Sequence, residues 1–284
     1  MSDVKKTIFA FGGGGLNPKN PLLDLYIIAQ TTKTLPKVCL LPTASGDDNS
    51  LIKHFYSMYD RFPCETSHFS VFNPHTSDLR GFFLSQDVIL VSGGHSKSMM
   101  ILWKGYGIDA ILREAYEKGT ILAGGSAGSV CWFDQCITDS IPGTLSVMDC
   151  LGFLPYSNCP HFGSKERQAA YSYFIRHNEI KSGYAADDDA GLHFVDGKLL
   201  RCVSSDRDDK CYNMFMNDKT YIKKRLKTFF LGEKSNQEQF IINAPCFSYM
   251  KEQAPEDHSS ETEEVSTNDI QPKSDNAITV AQSE

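Results

Sequence analysis

The fold of this 284-residue chain is decided by the stretch Thr120–Val130, which reads TILAGGSAGSV. Its first residues are apolar and typical of a buried strand, and a helix is expected from Ser129 onwards. Between them, Gly124, Ser126 and Gly128 fit the G-x-S-x-G pattern of a nucleophile elbow, in which a serine occupies the tip of a sharp strand-to-helix turn. A pattern this short indicates a catalytic serine only where the surrounding sequence fits as well.

The backbone after Ser126 offers a second feature of such a site. In an elbow, the N–H of the next residue, here Ala127, points towards the position where an oxyanion forms. The N-terminus of the following helix adds partial positive charge at that position. The alternative interpretation is purely structural, because glycine and serine also form ordinary turns and helix caps.

Alternating strands and helices around this stretch predict a parallel α/β sheet. Apolar runs typical of buried strands occur at Thr7–Gly12, Lys37–Pro42, Asp87–Ser92 and Thr120–Gly124. Helix-like segments lie at Pro21–Thr32, Asp47–Asp60, Ser98–Lys118 and Ser129–Phe133. Ligands of open α/β sheets bind at the carboxyl ends of the strands. We therefore expect the turns Gly12–Gly15, Thr43–Gly46 and Gly93–Ser96 to meet Ser126 in one crevice.

Three further segments carry predictions of their own. Ala190–Cys202 is typical of a hairpin with an Asp-Gly turn, which would extend the sheet. Lys219–Leu231 is expected to form a helix whose basic residues lie on a solvated face. Gly12–Gly15 completes neither a dinucleotide-binding nor a P-loop pattern, so a tight loop that allows close backbone approach is favoured.

The composition describes a globular chain, with 41% hydrophobic and 22% charged residues. No apolar run reaches about 18 residues, so no membrane-spanning helix is expected. The first residues lack the pattern of a signal peptide, and a cytoplasmic location is expected. The nine cysteines include no C-x-x-C pair. This spacing argues against a zinc ribbon or a disulfide framework, and neither a metal nor a cofactor is expected.

The net charge of −7 is concentrated in residues 251–284, which hold nine acidic residues and two lysines. This segment is rich in polar residues and lacks aromatic ones, so we predict an acidic disordered tail. Residues 1–250 are close to neutral and are expected to form a single α/β domain. Within it, residues 210–250 give the weakest secondary-structure signal. Because the chain has no basic stripe, a nucleic-acid partner is not expected.

The histidine His161 follows Pro160 in the segment LGFLPYSNCPHF, where proline disfavours a helix. Together with GGSAG after a strand and the later GYAADDDAGLHF, this segment resembles the S51 serine peptidases. That family includes dipeptidase E, an aspartyl dipeptidase, and cyanophycinase. Further matching pieces are FAFGGG near the start, LLPTAS and VSGGHS, so the resemblance covers about residues 7–200.

The resemblance implies a flavodoxin-like α/β fold, related to class I glutamine amidotransferases, with a parallel sheet and helices on both faces. It implies Ser126 as nucleophile, His161 as general base and acid, and an acidic third residue. That residue falls on Asp188, with Asp187 as the alternative. The order Ser, His, Asp along the chain differs from the Ser, Asp, His order of α/β-hydrolases.

The resemblance also implies backbone oxyanion donors at Ala127 and Gly94. His95 borders the second donor, at a position where many relatives carry asparagine. The implied substrate is a short peptide, in aspartyl dipeptidases one with an N-terminal aspartate. The cations that are candidates to recognise such an acidic group are Lys97, Arg167 and Arg176.

Two other functions remain open at this point. One is hydrolysis of aspartyl-arginine polymer, as in cyanophycinases, and the other is a non-catalytic, amidotransferase-like binding module. Amidotransferases carry cysteine at the elbow, whereas this chain has Ser126 there and Cys131 nearby. No membrane partner is expected, and a homodimer is an open alternative for the assembly.

Overall fold

Two β-sheets form the framework of the part that the computed structural model describes, residues 4–141 and 143–248. The strands, in chain order, are β1 Thr7–Phe11, β2 Lys37–Leu41, β3 Glu65–His68, β4 Val88–Val91, β5 Ile121–Gly125, β6 Phe133–Thr138, β7 Ser146–Asp149, β8 Leu154–Cys159, β9 Gly183–Ala186, β10 Ala190–Val195, β11 Lys198–Ser204, β12 Cys211–Asn217, β13 Thr220–Arg225 and β14 Thr228–Phe230. The helices are α1 Leu22–Ala29, α2 Asn49–Tyr59, α3 Leu79–Leu84, α4 Ser96–Tyr106, α5 Ile108–Glu117, α6 Ala127–Val130, α7 Lys165–Arg176 and α8 Lys234–Gln237. The acidic tail predicted at 251–284 lies outside the described residues.

The first sheet has eight strands in the order β14-β11-β10-β1-β5-β4-β2-β3. Its half from β1 to β3 is parallel, which confirms the expected βαβ arrangement. Strand β10 joins the other side of β1 in the antiparallel direction and continues into β11. The predicted hairpin is therefore confirmed, and Asp196 and Gly197 at its turn both have positive φ, as an Asp-Gly hairpin turn requires.

Helices cover both faces of this sheet because alternate residues of its strands point to opposite sides. Val38 and Leu40 of β2 pack with helices α1 and α2, whereas Cys39 and Leu41 pack with α4 and α5. All four strand residues are fully buried. The α/β architecture with helices on both faces is thus present, and its buried strands read as continuous apolar runs for this reason.

The second sheet, in the order β13-β12-β9-β8-β6-β7, was not predicted from the sequence. It packs on the first sheet through Phe194 of β10, whose ring contacts the rings of Phe133, Tyr156 and Tyr184. Helix α7 covers its other face. Strands β8 and β12 mix buried and exposed residues, and β7 has no buried residue, so they give a weaker sequence signal than the buried strands of the first sheet.

Three helix predictions need correction. Lys219–Leu231 is not a helix but strands β13 and β14, because residues Thr220–Arg225 pair with β12 across a tight turn at Asp218. The single helix expected at Ser98–Lys118 is divided into α4 and α5 at Gly107, whose positive φ ends the first helix. The helix expected at Ser129–Phe133 begins earlier, at Ala127, and Phe133 already belongs to β6.

Replacement of Phe194 tests the packing between the two sheets. We expect Phe194→Ala to lower the free energy of unfolding by about 3–5 kcal/mol, because it removes a fully buried ring. The control Leu200→Ala changes a side chain that is 54% exposed, and its effect should stay within about 0.5 kcal/mol. Urea unfolding measures both values. Equal values for the two variants would contradict the described contact.

Candidate active site

Ser126 occupies a strained position between β5 and α6, with φ 55° and ψ −115°. A positive φ is uncommon for a residue other than glycine and is found where the surroundings enforce it. The small residues around it allow this turn, because a Cβ on Gly128 would lie 2.2 Å from the carbonyl oxygen of Val91. The backbone N–H of Ser126 donates to the carbonyl of Phe11 at 3.3 Å. The serine is thus held on the end of the central strands, and it is half-buried.

The side chains of Ser126, His161 and Asp188 form a continuous hydrogen-bonded series. His161 Nε2 lies 2.8 Å from Ser126 Oγ, and His161 Nδ1 forms a hydrogen bond with Asp188 Oδ1. Because a carboxylate only accepts hydrogen bonds, this geometry assigns the imidazole proton to Nδ1. Nε2 is then able to accept the proton of the serine hydroxyl. The His161 side chain is about one-third exposed and Asp188 is 59% exposed, so both are accessible from solvent.

The neighbours of Asp188 have other partners. Asp187 is buried, and its Oδ2 accepts a hydrogen bond from the backbone N–H of Lys210 at 2.9 Å. Burial raises the pKa of the Asp187 carboxyl. Asp189 Oδ1 accepts from the hydroxyl of Ser205 at 3.2 Å. Of the two alternatives left by the sequence, Asp188 is therefore the one that contacts His161.

The glycine loop after β1 supports this pair. The N–H groups of Gly13 and Gly14 donate to the carbonyl of Asp188 at 2.8 and 2.5 Å. A Cβ on Gly13 would lie 2.3 Å from Asp188 Oδ1 and 2.6 Å from His161 Cε1. The close backbone approach predicted for Gly12–Gly15 is thus confirmed, and the backbone it approaches is that of the Asp188 turn.

The loop Gly93–His95, after β4, lies beside the serine. A Cβ on Gly93 would be 3.4 Å from the Cβ of Ser126. Gly94 has φ 139°, and a side chain there would collide with the carbonyl of Ala44, so only glycine fits. Within residues 4–141 and 143–248, the N–H groups of Gly94 and Ala127 have no hydrogen-bond acceptor. The expected meeting of the turn Gly93–Ser96 with Ser126 is thus confirmed, and Gly93 is the residue of this turn that lies against the serine.

His95 and the three candidate cations lie in different surroundings. His95 is exposed, and its Nδ1 accepts from the N–H of Ser98 as the N-cap of α4. Arg167 is mostly buried and pairs with Asp139 at 2.8 Å. Arg176 stacks on a tyrosine ring at the opposite end of α7, and Lys97 is exposed in the first turn of α4. Arg167 also lines a cavity of about 280 Å³ next to the start of α7.

The described part of the chain contains histidine, cysteine and acidic side chains that are potential metal ligands. No group of three or more His, Cys, Asp or Glu side chains there is arranged to hold a metal ion. No described helix has the length and apolar character needed to cross a membrane. All nine cysteines are free thiols.

An α/β fold with a serine, a histidine and an aspartate in hydrogen-bonded succession has the arrangement of a hydrolase site. The model of Peptidase family S51 matches residues 8–202 of the chain. The chain therefore belongs to peptidase family S51, which confirms the resemblance seen in the sequence and the peptidase class.

Individual relatives agree with this assignment. The chain is 44% identical over 230 residues to the uncharacterized peptidase YgaJ of Bacillus subtilis (strain 168), covering 80% of this chain and 100% of that one. Among solved structures, it is similar to a peptidase from an acI-B1 Actinobacterium, with a TM-score of 0.59 and 17% identity. That match covers 82% of this chain and 97% of the other, and it shows the shared fold.

Substitution of Gly13 tests the contact between the glycine loop and the His161–Asp188 pair. We expect Gly13→Ala to lower the free energy of unfolding by about 1–3 kcal/mol, because the new methyl group overlaps both side chains. In the control Gly105→Ala, a helical glycine with open space around it is replaced, and stability should rise by about 0.5–1 kcal/mol. Urea unfolding of both variants provides the measurement. A Gly13→Ala protein as stable as the parent would contradict the described contact.

Proposed function

We propose that this S51 peptidase is a serine-type enzyme that hydrolyses short peptides through an acyl-enzyme on Ser126. The observation that carries the proposal is the 2.8 Å contact between His161 Nε2 and Ser126 Oγ, with Asp188 on the other ring nitrogen. A serine hydroxyl is a weak nucleophile unless a base removes its proton and a third group orients that base. The hydrogen-bonded succession of Ser126, His161 and Asp188 supports these three roles.

In the proposed mechanism, Ser126 Oγ attacks the peptide carbonyl carbon while His161 Nε2 takes the hydroxyl proton. Asp188 stabilises the resulting imidazolium and keeps its ring oriented. The N–H groups of Ala127 and Gly94 would stabilise the negative oxygen. His161 then donates the proton to the leaving amine, and an ester remains on Ser126. His161 next takes a proton from water, whose oxygen attacks this ester, and returns the proton to Ser126 Oγ as the acid leaves.

Cys131 supports the choice of serine as the nucleophile. An amidotransferase-like site would carry a cysteine at the elbow, and Cys131 is the cysteine nearest to it in the chain. Its thiol is fully buried and donates to the carbonyl of Gly128 at 3.4 Å. Burial raises the pKa of this thiol well above its ordinary value, which disfavours the reactive thiolate.

We further propose that peptides with an N-terminal aspartate are among the substrates, as in the aspartyl dipeptidases that the sequence resembles. Arg167 is the best placed of the three cations to meet such an acidic group. It lies in the first turn of the helix that follows His161, and it lines the small cavity there. Its present partner, Asp139, is 71% exposed, so a substrate carboxylate can replace it.

Replacement of Ser126 tests the nucleophile. We expect Ser126→Ala to lower kcat for dipeptides by at least about 10³-fold, because removal of a nucleophile leaves only binding and oxyanion stabilisation. Labelling by a fluorophosphonate probe should also be lost, and the melting temperature should stay close to that of the parent. The matched control is Ser172→Ala on α7, which removes a hydroxyl that is hydrogen-bonded to Tyr221. This variant should keep both dipeptide hydrolysis and probe labelling.

A panel of Asp-X and other dipeptides, with aspartyl-arginine polymer beside it, separates the possible outcomes. Unchanged turnover in Ser126→Ala would refute the mechanism. Probe labelling without dipeptide hydrolysis would refute the proposed dipeptide substrate and support Ser126 as the nucleophile. Release of product from the polymer alone would favour a cyanophycinase-like activity, and neither labelling nor hydrolysis would favour a binding module.

A further inference from the structure

A fully buried carboxylate, Asp24, lies behind the glycine loop of the site. Asp24 is in the first turn of α1 and is 0% exposed. Both of its oxygens accept from the backbone N–H of Leu16, at 3.2 and 3.1 Å. The hydroxyl of Tyr59 on α2 donates to Oδ1 at 2.8 Å. The carboxylate thus ties the chain at Leu16 to two helices.

This carboxylate has no arginine or lysine partner among the described salt bridges. Burial of a charge without an ionic partner is costly, and it is offset here by hydrogen bonds and by the N-terminus of α1. The ionisable groups that act on Asp24 are Tyr59 and His54, both on α2. Since burial raises the pKa of Asp24 to about 6, its ionised form lowers stability at neutral pH.

Leu16 directly follows the glycine loop Gly12–Gly15 and is itself held in an unusual conformation, with φ 49°. His54 Nε2 forms a hydrogen bond of 2.7 Å with the Leu16 carbonyl. In its middle, the loop donates two N–H groups to the carbonyl of Asp188. The loop is therefore anchored through Leu16 on Asp24 and supports Asp188 through its central glycines.

We propose that Asp24 is a positioning residue of the peptidase site, whose carboxylate fixes Leu16 and so holds the glycine loop that aligns Asp188 on His161. Its effect on hydrolysis rests on the proposed function. Its effect on the loop does not, because the hydrogen bonds concerned lie within the fold.

Protonation of Asp24 weakens this support. When Asp24 is protonated, one of its oxygens carries a hydrogen and no longer accepts from the N–H of Leu16, which donates to both oxygens of the carboxylate. Because the pKa of Asp24 is raised on folding, the folded state binds this proton more tightly than the unfolded state. The contribution of Asp24 to stability therefore falls as the pH rises from about 4 to about 6. Loss of the charge should thus loosen the glycine loop without lowering the free energy of unfolding at pH 7.

The test compares Asp24→Asn with Tyr26→Phe. The second variant is a matched control on the same helix, since it removes the buried hydrogen bond from Tyr26 to His193 and leaves the loop untouched. For Asp24→Asn we expect kcat to fall about tenfold while KM changes by less than about twofold, because alignment of the site is lost rather than binding. Protonation of Asp24 below about pH 6 should lower kcat of the parent by a similar factor, and this step should be absent in Asp24→Asn.

Hydrogen exchange measured by mass spectrometry gives a readout without catalysis. In Asp24→Asn, the amides of residues 12–16 should exchange about tenfold faster, because they lose their anchor, while Tyr26→Phe keeps the parent rate. The variant Tyr59→Phe, which removes one of the hydrogen bonds, should change in the same direction by less. Unchanged exchange in Asp24→Asn, or equal acceleration in Tyr26→Phe, would overturn the positioning role. If the parent hydrolyses no peptide, the proposed function fails. The exchange data still decide whether Asp24 holds the glycine loop in place.

Discussion

The pairing of β1 with β5 on one side and with β10 on the other is the constraint on which the site depends. The register places Phe11 opposite Gly125 of β5 and opposite Gly191 of β10. Because β5 is parallel to β1, its following residue, Ser126, emerges at the same end of the sheet as the glycine loop. Because β10 is antiparallel, it is the residues before it, including Asp188, that reach this end. One strand thus brings together two parts of the site that are distant in sequence.

The histidine comes from the second sheet, so the contact between the sheets is part of the site. His161 follows the end of β8, whose Tyr156 packs on Phe194 of β10. The turn at His161 has a positive φ of 52°, as the serine also does. Two residues in this conformation face each other across the 2.8 Å contact. Such geometry persists where packing on both sides enforces it, which is the case for a buried junction between two sheets.

Secondary structure was predictable from the sequence where strands are fully buried, and less so where pairing with a distant strand determines the conformation. Strands β1, β2, β4 and β5 were predictable because both of their faces are buried and their residues are mostly apolar, whereas the polar edge strand β3 was missed. Motifs pointed to Ser126 and His161, and the resemblance favoured Asp188 over Asp187. The structure adds which carboxyl contacts His161, because side-chain directions in this turn depend on the partners of each residue. The strand at Thr220–Arg225 was mistaken for a helix because its pairing with β12, which lies outside the segment, determines its conformation.

The three consecutive aspartates show how an exposed carboxylate becomes well defined in position. Asp187 is anchored to the Lys210 backbone, and Asp189 is anchored through both its side chain and its N–H, the latter donating to Asp209 at 2.7 Å. Burial is the largest cause of the raised pKa of both outer carboxyls, with nearby acidic groups adding to it. The central residue, Asp188, keeps its side chain in solvent and its carbonyl on the glycine loop. The outer two therefore fix the turn at some electrostatic cost, and the carboxyl of the central one is left to contact the imidazole.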